Sequence, residues 1–65
     1  MRFIKLTEVI GNHRNFEIYL NADKIENFSR LDDSTYLCMS TSSSEFKVKE
    51  TPEEIIQLIK QAEEI

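Results

Sequence analysis

Residues 45–65, Glu45-Phe46-Lys47-Val48-Lys49-Glu50-Thr51-Pro52-Glu53-Glu54-Ile55-Ile56-Gln57-Leu58-Ile59-Lys60-Gln61-Ala62-Glu63-Glu64-Ile65, change their hydrophobic period partway along. Up to Lys49 apolar and polar residues alternate, with Phe46 and Val48 on one side, as a half-exposed antiparallel strand requires. From Thr51 the rules are those of a helix start. Thr51 is suited to the N-cap, Pro52 to a first helical position where its missing N–H costs nothing, and Glu54 to the capping-box position three residues on. Ile55, Leu58, Ile59, Ala62 and Ile65 then follow at helical spacing and form one apolar stripe, opposite Glu53, Gln57, Lys60, Gln61 and Glu64. The spacing predicts a strand running directly into an amphipathic helix over 52–64. Ile56 borders the stripe and widens it beyond a narrow seam.

The preceding residues read as strands. Arg2 to Ile10 is rich in Phe, Ile, Thr and Val, with Ile4, Leu6 and Ile10 at even spacing. Gly11-Asn12-His13-Arg14-Asn15 is a turn, and Phe16, Ile18 and Leu20 then alternate with Glu17 and Tyr19, which predicts a hairpin. Asn21-Ala22-Asp23 suits a tight turn or one turn of 3₁₀ helix. From Lys24 to Arg30 the apolar spacing of three suits a bulged strand and a helical turn equally, and either places Ile25 and Phe28 inward. Leu31-Asp32-Asp33-Ser34 is a turn, Thr35-Tyr36-Leu37-Cys38-Met39-Ser40 the densest β-prone run and the expected central strand, and Thr41-Ser42-Ser43-Ser44 a polar loop. The expected architecture is α+β and mainly β: one domain over 1–65, an antiparallel meander of about five strands within 2–49 forming a barrel-like or strongly twisted sheet, and one C-terminal amphipathic helix.

Composition narrows the function classes. At 65 residues the chain holds one core, and that core offsets the conformational entropy of folding only narrowly. Small domains find support in disulfides, metals or association; a lone Cys38 and a lone His13 leave self-association. Twelve acidic against eight basic side chains give a net charge of −4, which disfavours a phosphate backbone. Met1 to Leu6 lacks the apolar run of a signal peptide and no stretch is long enough to span a membrane, so a cytoplasmic location without membrane insertion is expected.

No group of residues reads as an active site. His13 falls between Asn12 and Arg14 in a turn with no partner, and Cys38 lies in a β-prone run where a free thiol behaves as a small hydrophobe. Asp32-Asp33 with Asp23 or Glu26 lack the spacing of a calcium loop. Glu53-Glu54 are accounted for by capping and the helix dipole, whereas Glu63-Glu64 stand at the end where negative charge is unfavourable. The single Gly11 rules out a glycine-rich phosphate loop. The expectation is therefore no catalytic residue, no cofactor and no metal, with Ile56, Ile59 and Ile65 as the candidate partner interface.

Ile4-Lys5-Leu6-Thr7, Phe16 with Tyr19-Leu20-Asn21-Ala22-Asp23-Lys24-Ile25-Glu26, and Val48-Lys49-Glu50-Thr51-Pro52-Glu53-Glu54-Ile55-Ile56 together resemble the FlbD-type family of very small proteins. Its members pair an initial strand, a Tyr-Leu-Asn-type segment and a Val-Lys-Glu junction entering a final helix. The resemblance spans most of the chain and implies a cytoplasmic accessory protein, linked in some bacteria to flagellar motor function or swarming, with no catalytic residues to carry over. The chain departs from the family's tight Asn-Gly turn and its Gly-containing later turn. In architecture alone it is similar to the carbon storage regulator family of RNA-binding proteins, but the junction Lys49-Glu50-Thr51-Pro52-Glu53-Glu54 is mainly acidic where those proteins are basic. The leading expectation is a non-enzymatic interaction or regulatory module that self-associates into a homo-oligomer through apolar surface left on the helix or an unpaired sheet edge, with another protein as a further partner. The alternative is an RNA-binding regulator using Lys5, Arg14, Lys24, Arg30, Lys47 and Lys49.

Overall fold

In the computed structural model, which describes residues 1–11, 14–41 and 45–64, the alternation of the first two segments becomes a hairpin. Strand β1 (Phe3–Ile10) pairs antiparallel with β2 (Arg14–Asn21) without a register shift, Ile4 opposite Leu20 and Leu6 opposite Ile18. These four face inward; Ile4 and Leu6 are buried and Ile18 and Leu20 pack against them. Gly11 leaves β1 at φ 66°, a conformation that residues with a Cβ adopt only at a cost.

Asn21 ends β2 by turning its side chain onto the backbone: Oδ1 accepts from the Asp23 N–H at 3.0 Å and caps a 3₁₀ turn, Ala22–Lys24. Strand β3 (Ile25–Leu31) follows and settles the ambiguity of this segment in favour of a bulged strand. Ile25 lies opposite Met39 and Asn27 opposite Cys38, so Glu26 is the extra residue. In a regular strand, residues three apart point to opposite faces; one extra residue returns Ile25 and Phe28 to the same side, where both pack on the core. Asp32-Asp33 make the next turn, with Asp32 at φ 56°, and β4 (Ser34–Met39) and β5 (Glu45–Val48) complete the strands.

The five strands form one antiparallel sheet in the order β2-β1-β5-β4-β3, twisted and open, with β2 and β3 as its edges. β3, β4 and β5 are a meander, and the β1–β2 hairpin joins it through β1 beside β5. The shortest strand thus occupies the middle, and Val48 at its end is fully buried. Phe28, Leu37 and Phe46 stand in one row across β3, β4 and β5.

Helix α1 (Pro52–Gln61) covers the inner face, with Ile55 completely buried and Leu58 and Ile59 packed against the core. The capping box is complete: Thr51 N–H donates to Glu54 Oε1 at 2.9 Å and Glu54 N–H to Thr51 Oγ1 at 3.1 Å. The helix stops at Gln61, three residues before the expected end at 64, where Ala62 becomes extended. Two causes converge there. Glu63 and Glu64 oppose the negative end of the helix dipole, and the Arg2 guanidinium donates to the Ile59 carbonyl at 3.3 Å, satisfying a terminal acceptor without a further turn.

Candidate functional site

The strand–helix junction is the most densely bonded polar region. Lys49 N–H donates to the Thr7 carbonyl at 2.9 Å. In a regular antiparallel ladder Thr7 N–H would return a bond to the Lys49 carbonyl. The chain has turned away by then, and the Glu50 carboxylate takes that place: Oε1 accepts from Thr7 N–H at 2.8 Å and Oε2 from Thr7 Oγ1 at 3.0 Å. The Glu50 carbonyl accepts from the hydroxyl of Thr35, a fully buried residue on β4, at 2.7 Å. One residue therefore ties β1, β4 and the start of α1 together, which gives the Val-Lys-Glu junction a structural reason.

Two exposed ion pairs brace the same assembly. Arg2 contacts Asp23 through Nε at 3.0 Å and Nη2 at 2.9 Å, and Arg30 on β3 pairs with Glu53 in the first turn of α1. The hydrogen bond from Arg2 holds the Asp23 carboxyl below its usual range, and that from Arg30 does the same for Glu53.

Two shallow spaces flank the junction. One, of about 500 Å³, lies between β1 and α1 and is lined by Lys5, Glu50, Glu53, Glu54, Gln57 and Leu58. The other, of about 490 Å³, is bordered by Asn15, Asp33, Ser34, Lys47 and Lys49. Among the described residues every buried side-chain polar atom has a hydrogen-bond partner, and no three His, Cys, Asp or Glu side chains converge as metal ligands would.

The residues singled out from the sequence are scattered. Asp23 is engaged by Arg2 in the 3₁₀ turn and Glu26 is the bulge residue, whereas Asp32 and Asp33 lie at the other end of β3. Cys38 is half-exposed and lies opposite Asn27 and Glu45 on the neighbouring strands. Of the basic residues, Lys47 and Lys49 share one space, while Lys5 is paired with Glu17 at 3.6 Å, Arg30 with Glu53, and Arg14 stacks over the Phe16 ring at 5.9 Å. Lys24 belongs to the 3₁₀ turn. Of the candidate interface, Ile56 is 42% exposed, Ile59 packs against the core, and Ile65 lies outside the described residues, as do His13 and the loop at 42–44.

The hairpin exposes aromatic side chains on both of its faces: Phe3 is 41% and Tyr19 62% exposed on the outer face, and Phe16 is 44% exposed on the face of Ile18 and Leu20. The signal was present in the sequence, since Phe16 to Leu20 alternates as a strand, but which strands form the sheet's edges depends on the order of pairing.

The fold defines a small, mainly β domain of the α+β class, an open five-stranded antiparallel sheet covered on one face by a single helix. Set against protein-family models, curated proteins and solved structures, the chain matches none of them. No helix among the described residues is long and apolar enough to cross a membrane.

Proposed function

We propose that this domain is a non-enzymatic interaction module that acts by associating, with a second copy of itself and with another protein, in the cytoplasm. The observation that carries the reading is the exposure of three aromatic side chains on a hairpin whose Ile4 and Leu6 also build the core: Phe3 and Tyr19 on its outer face, and Phe16 on the inner face at the sheet edge. Scattered single apolar side chains are normal on a surface; two large aromatic ones on the outer face of one hairpin, with a third on the edge strand itself, are the features of a binding edge. The acidic groups have structural work: Glu50 closes the β1–β5 ladder, Glu54 caps α1, and Asp23 and Glu53 hold arginines. The resemblance to the FlbD-type family supports an accessory role of this kind, and flagellar genes beside its own would add to that support.

The test is the mass of the full chain by light scattering across a micromolar-to-millimolar series, repeated for Phe3→Ser combined with Phe16→Ser. Concentration-dependent association that the double variant loses, while its thermal midpoint matches that of the parent chain at dilutions where both are monomeric, supports the reading. A strict monomer at the highest concentration removes self-association from it.

A further inference from the structure

We infer that the free edge of β2 is a homodimer interface, pairing antiparallel with the same strand of a second copy about a two-fold axis at Ile18. The inference rests on the association proposed above and specifies its surface, occupant and register.

The two edges of the sheet are not equivalent. β3 carries the bulge at Glu26 and is tied to α1 through Arg30 and Glu53, two features that interrupt an edge against further pairing. β2 has neither. Its eight residues pair regularly with β1, contain no proline or lysine, and include the exposed Phe16 and Tyr19.

The direction of the backbone groups fixes which residues are available. Thr7 turns its N–H and carbonyl toward Glu50 and Lys49, so the odd residues of β1 face β5 and the even ones face β2. The bond from Ala22 N–H to the Arg2 carbonyl at 2.6 Å has the same parity. Through the β1–β2 register, the even residues of β2 spend their backbone groups on β1. Asn15, Glu17, Tyr19 and Asn21 therefore present theirs to the open edge.

Only registers that oppose odd residues to odd residues can form a ladder. With the axis at Ile18, Glu17 meets Tyr19 of the second copy, Asn15 meets Asn21, Phe16 meets Leu20 and Ile18 meets Ile18. Moving the axis to Glu17 places two carboxylates directly opposite, which is destabilising, and moving it to Tyr19 shortens the ladder. A one-residue slip opposes an available group to one already bonded to β1. Antiparallel pairing about an axis normal to the sheet keeps both apolar faces on the same side, so Phe16, Ile18 and Leu20 of the two copies form one continuous row. The Tyr19 hydroxyl already donates to Glu17 Oε1 at 3.2 Å within the chain, so these two groups are chemically matched for the cross-dimer contact as well.

The experiment uses the full chain in light scattering and sedimentation. Tyr19→Glu, at a position 62% exposed, should weaken dimerisation by about tenfold or more, because it sets two symmetry-related carboxylate pairs face to face, and should leave unchanged the thermal midpoint measured at dilutions where both chains are monomeric. Adding Glu17→Lys should restore the dimer in this register and in neither shifted one. With Cys38→Ser as background, Ile18→Cys should oxidise to a covalent dimer, since a non-hydrogen-bonded antiparallel pair brings Cα atoms to about 4.5 Å, inside the range of a disulfide. A dimer whose affinity ignores Tyr19→Glu overturns the β2 interface and leaves the interaction-module reading standing. A dimer not rescued by Glu17→Lys overturns the register, and a strict monomer overturns both the homodimer and the self-association behind it.

Discussion

Glu50 offers the sharpest test of how this small fold holds together. Its carboxylate receives two hydrogen bonds from Thr7, at 2.8 and 3.0 Å, at the point where the β1–β5 ladder would otherwise lose its next rung. Hydrogen bonds to a charged acceptor contribute about 1.5–3 kcal/mol each, and an abandoned donor in a partly buried place costs about 1–3 kcal/mol. Because the junction is only partly buried and water can reach a vacated site, the two losses overlap, and Glu50→Ala should cost about 2–4 kcal/mol. A core of this size rarely yields more than about 3–5 kcal/mol of net stability, so the variant should stand at the margin of folding. Glu50→Gln is the measurable companion: its oxygen still accepts from Thr7 N–H and its amide can donate to Thr7 Oγ1, so the loss falls to about 1 kcal/mol. Urea unfolding followed by circular dichroism resolves both. With a slope of about 1 kcal/mol per molar, the alanine variant should lose about 2 M or more of midpoint and the glutamine variant about 1 M. Thr7→Val, combined with Glu50→Ala, should be clearly less than additive. An alanine variant within about 0.5 kcal/mol of the parent chain would refute the claim that Glu50 closes the sheet.

Asp32 sits at φ 56° in the turn between β3 and β4, so Asp32→Gly should stabilise the chain by about 0.5–1 kcal/mol, read as a higher urea midpoint; destabilisation would mean that the aspartate side chain matters more than the backbone strain. Asp23 and Glu53 have carboxyls held below their ordinary values of 3.8 and 4.5, by Arg2 and Arg30 respectively. The unfolded chain therefore takes up their protons first as the pH falls, so their stabilisation is complete above those ordinary values and is lost as the pH drops through the lower folded ones; melting midpoints should decline below about pH 4.5, and Asp23→Asn with Glu53→Gln should flatten that decline. On the helix, Ile56→Glu should leave the thermal midpoint nearly unchanged, whereas Ile59→Glu should unfold the domain by placing a charge against the core; equal effects would show that α1 is rotated from the orientation described.

Local chemistry made some elements legible and topology concealed others. The helix start needs only Thr51, Pro52 and Glu54, whose interactions close within four residues, and these are present as expected. The hairpin likewise follows from alternation on either side of one turn. The segment after Asn21 could not be settled locally, because a spacing of three has two solutions. Pairing with Met39 and Cys38 selects the bulge, since only an extra residue keeps Ile25 and Phe28 on the buried face.

The amino-acid sequence by itself determined the α+β class, the strand segments other than the one after Asn21, the capped helix start and the apolar stripe, all properties of residues near one another in the chain. Only the tertiary structure decided that the four-residue β5 lies in the middle of the sheet, that Glu50 replaces a rung of the β1–β5 ladder, and that β2 is an unguarded edge. It also turned Ile59 toward the core, left Ile56 exposed on the helix, and exposed Phe3, Phe16 and Tyr19 in part on the hairpin, where the association proposed above is placed. The physical reason is common to them. Periodicity states that a side of an element is apolar, but whether that side is covered depends on which distant strand lies beside it.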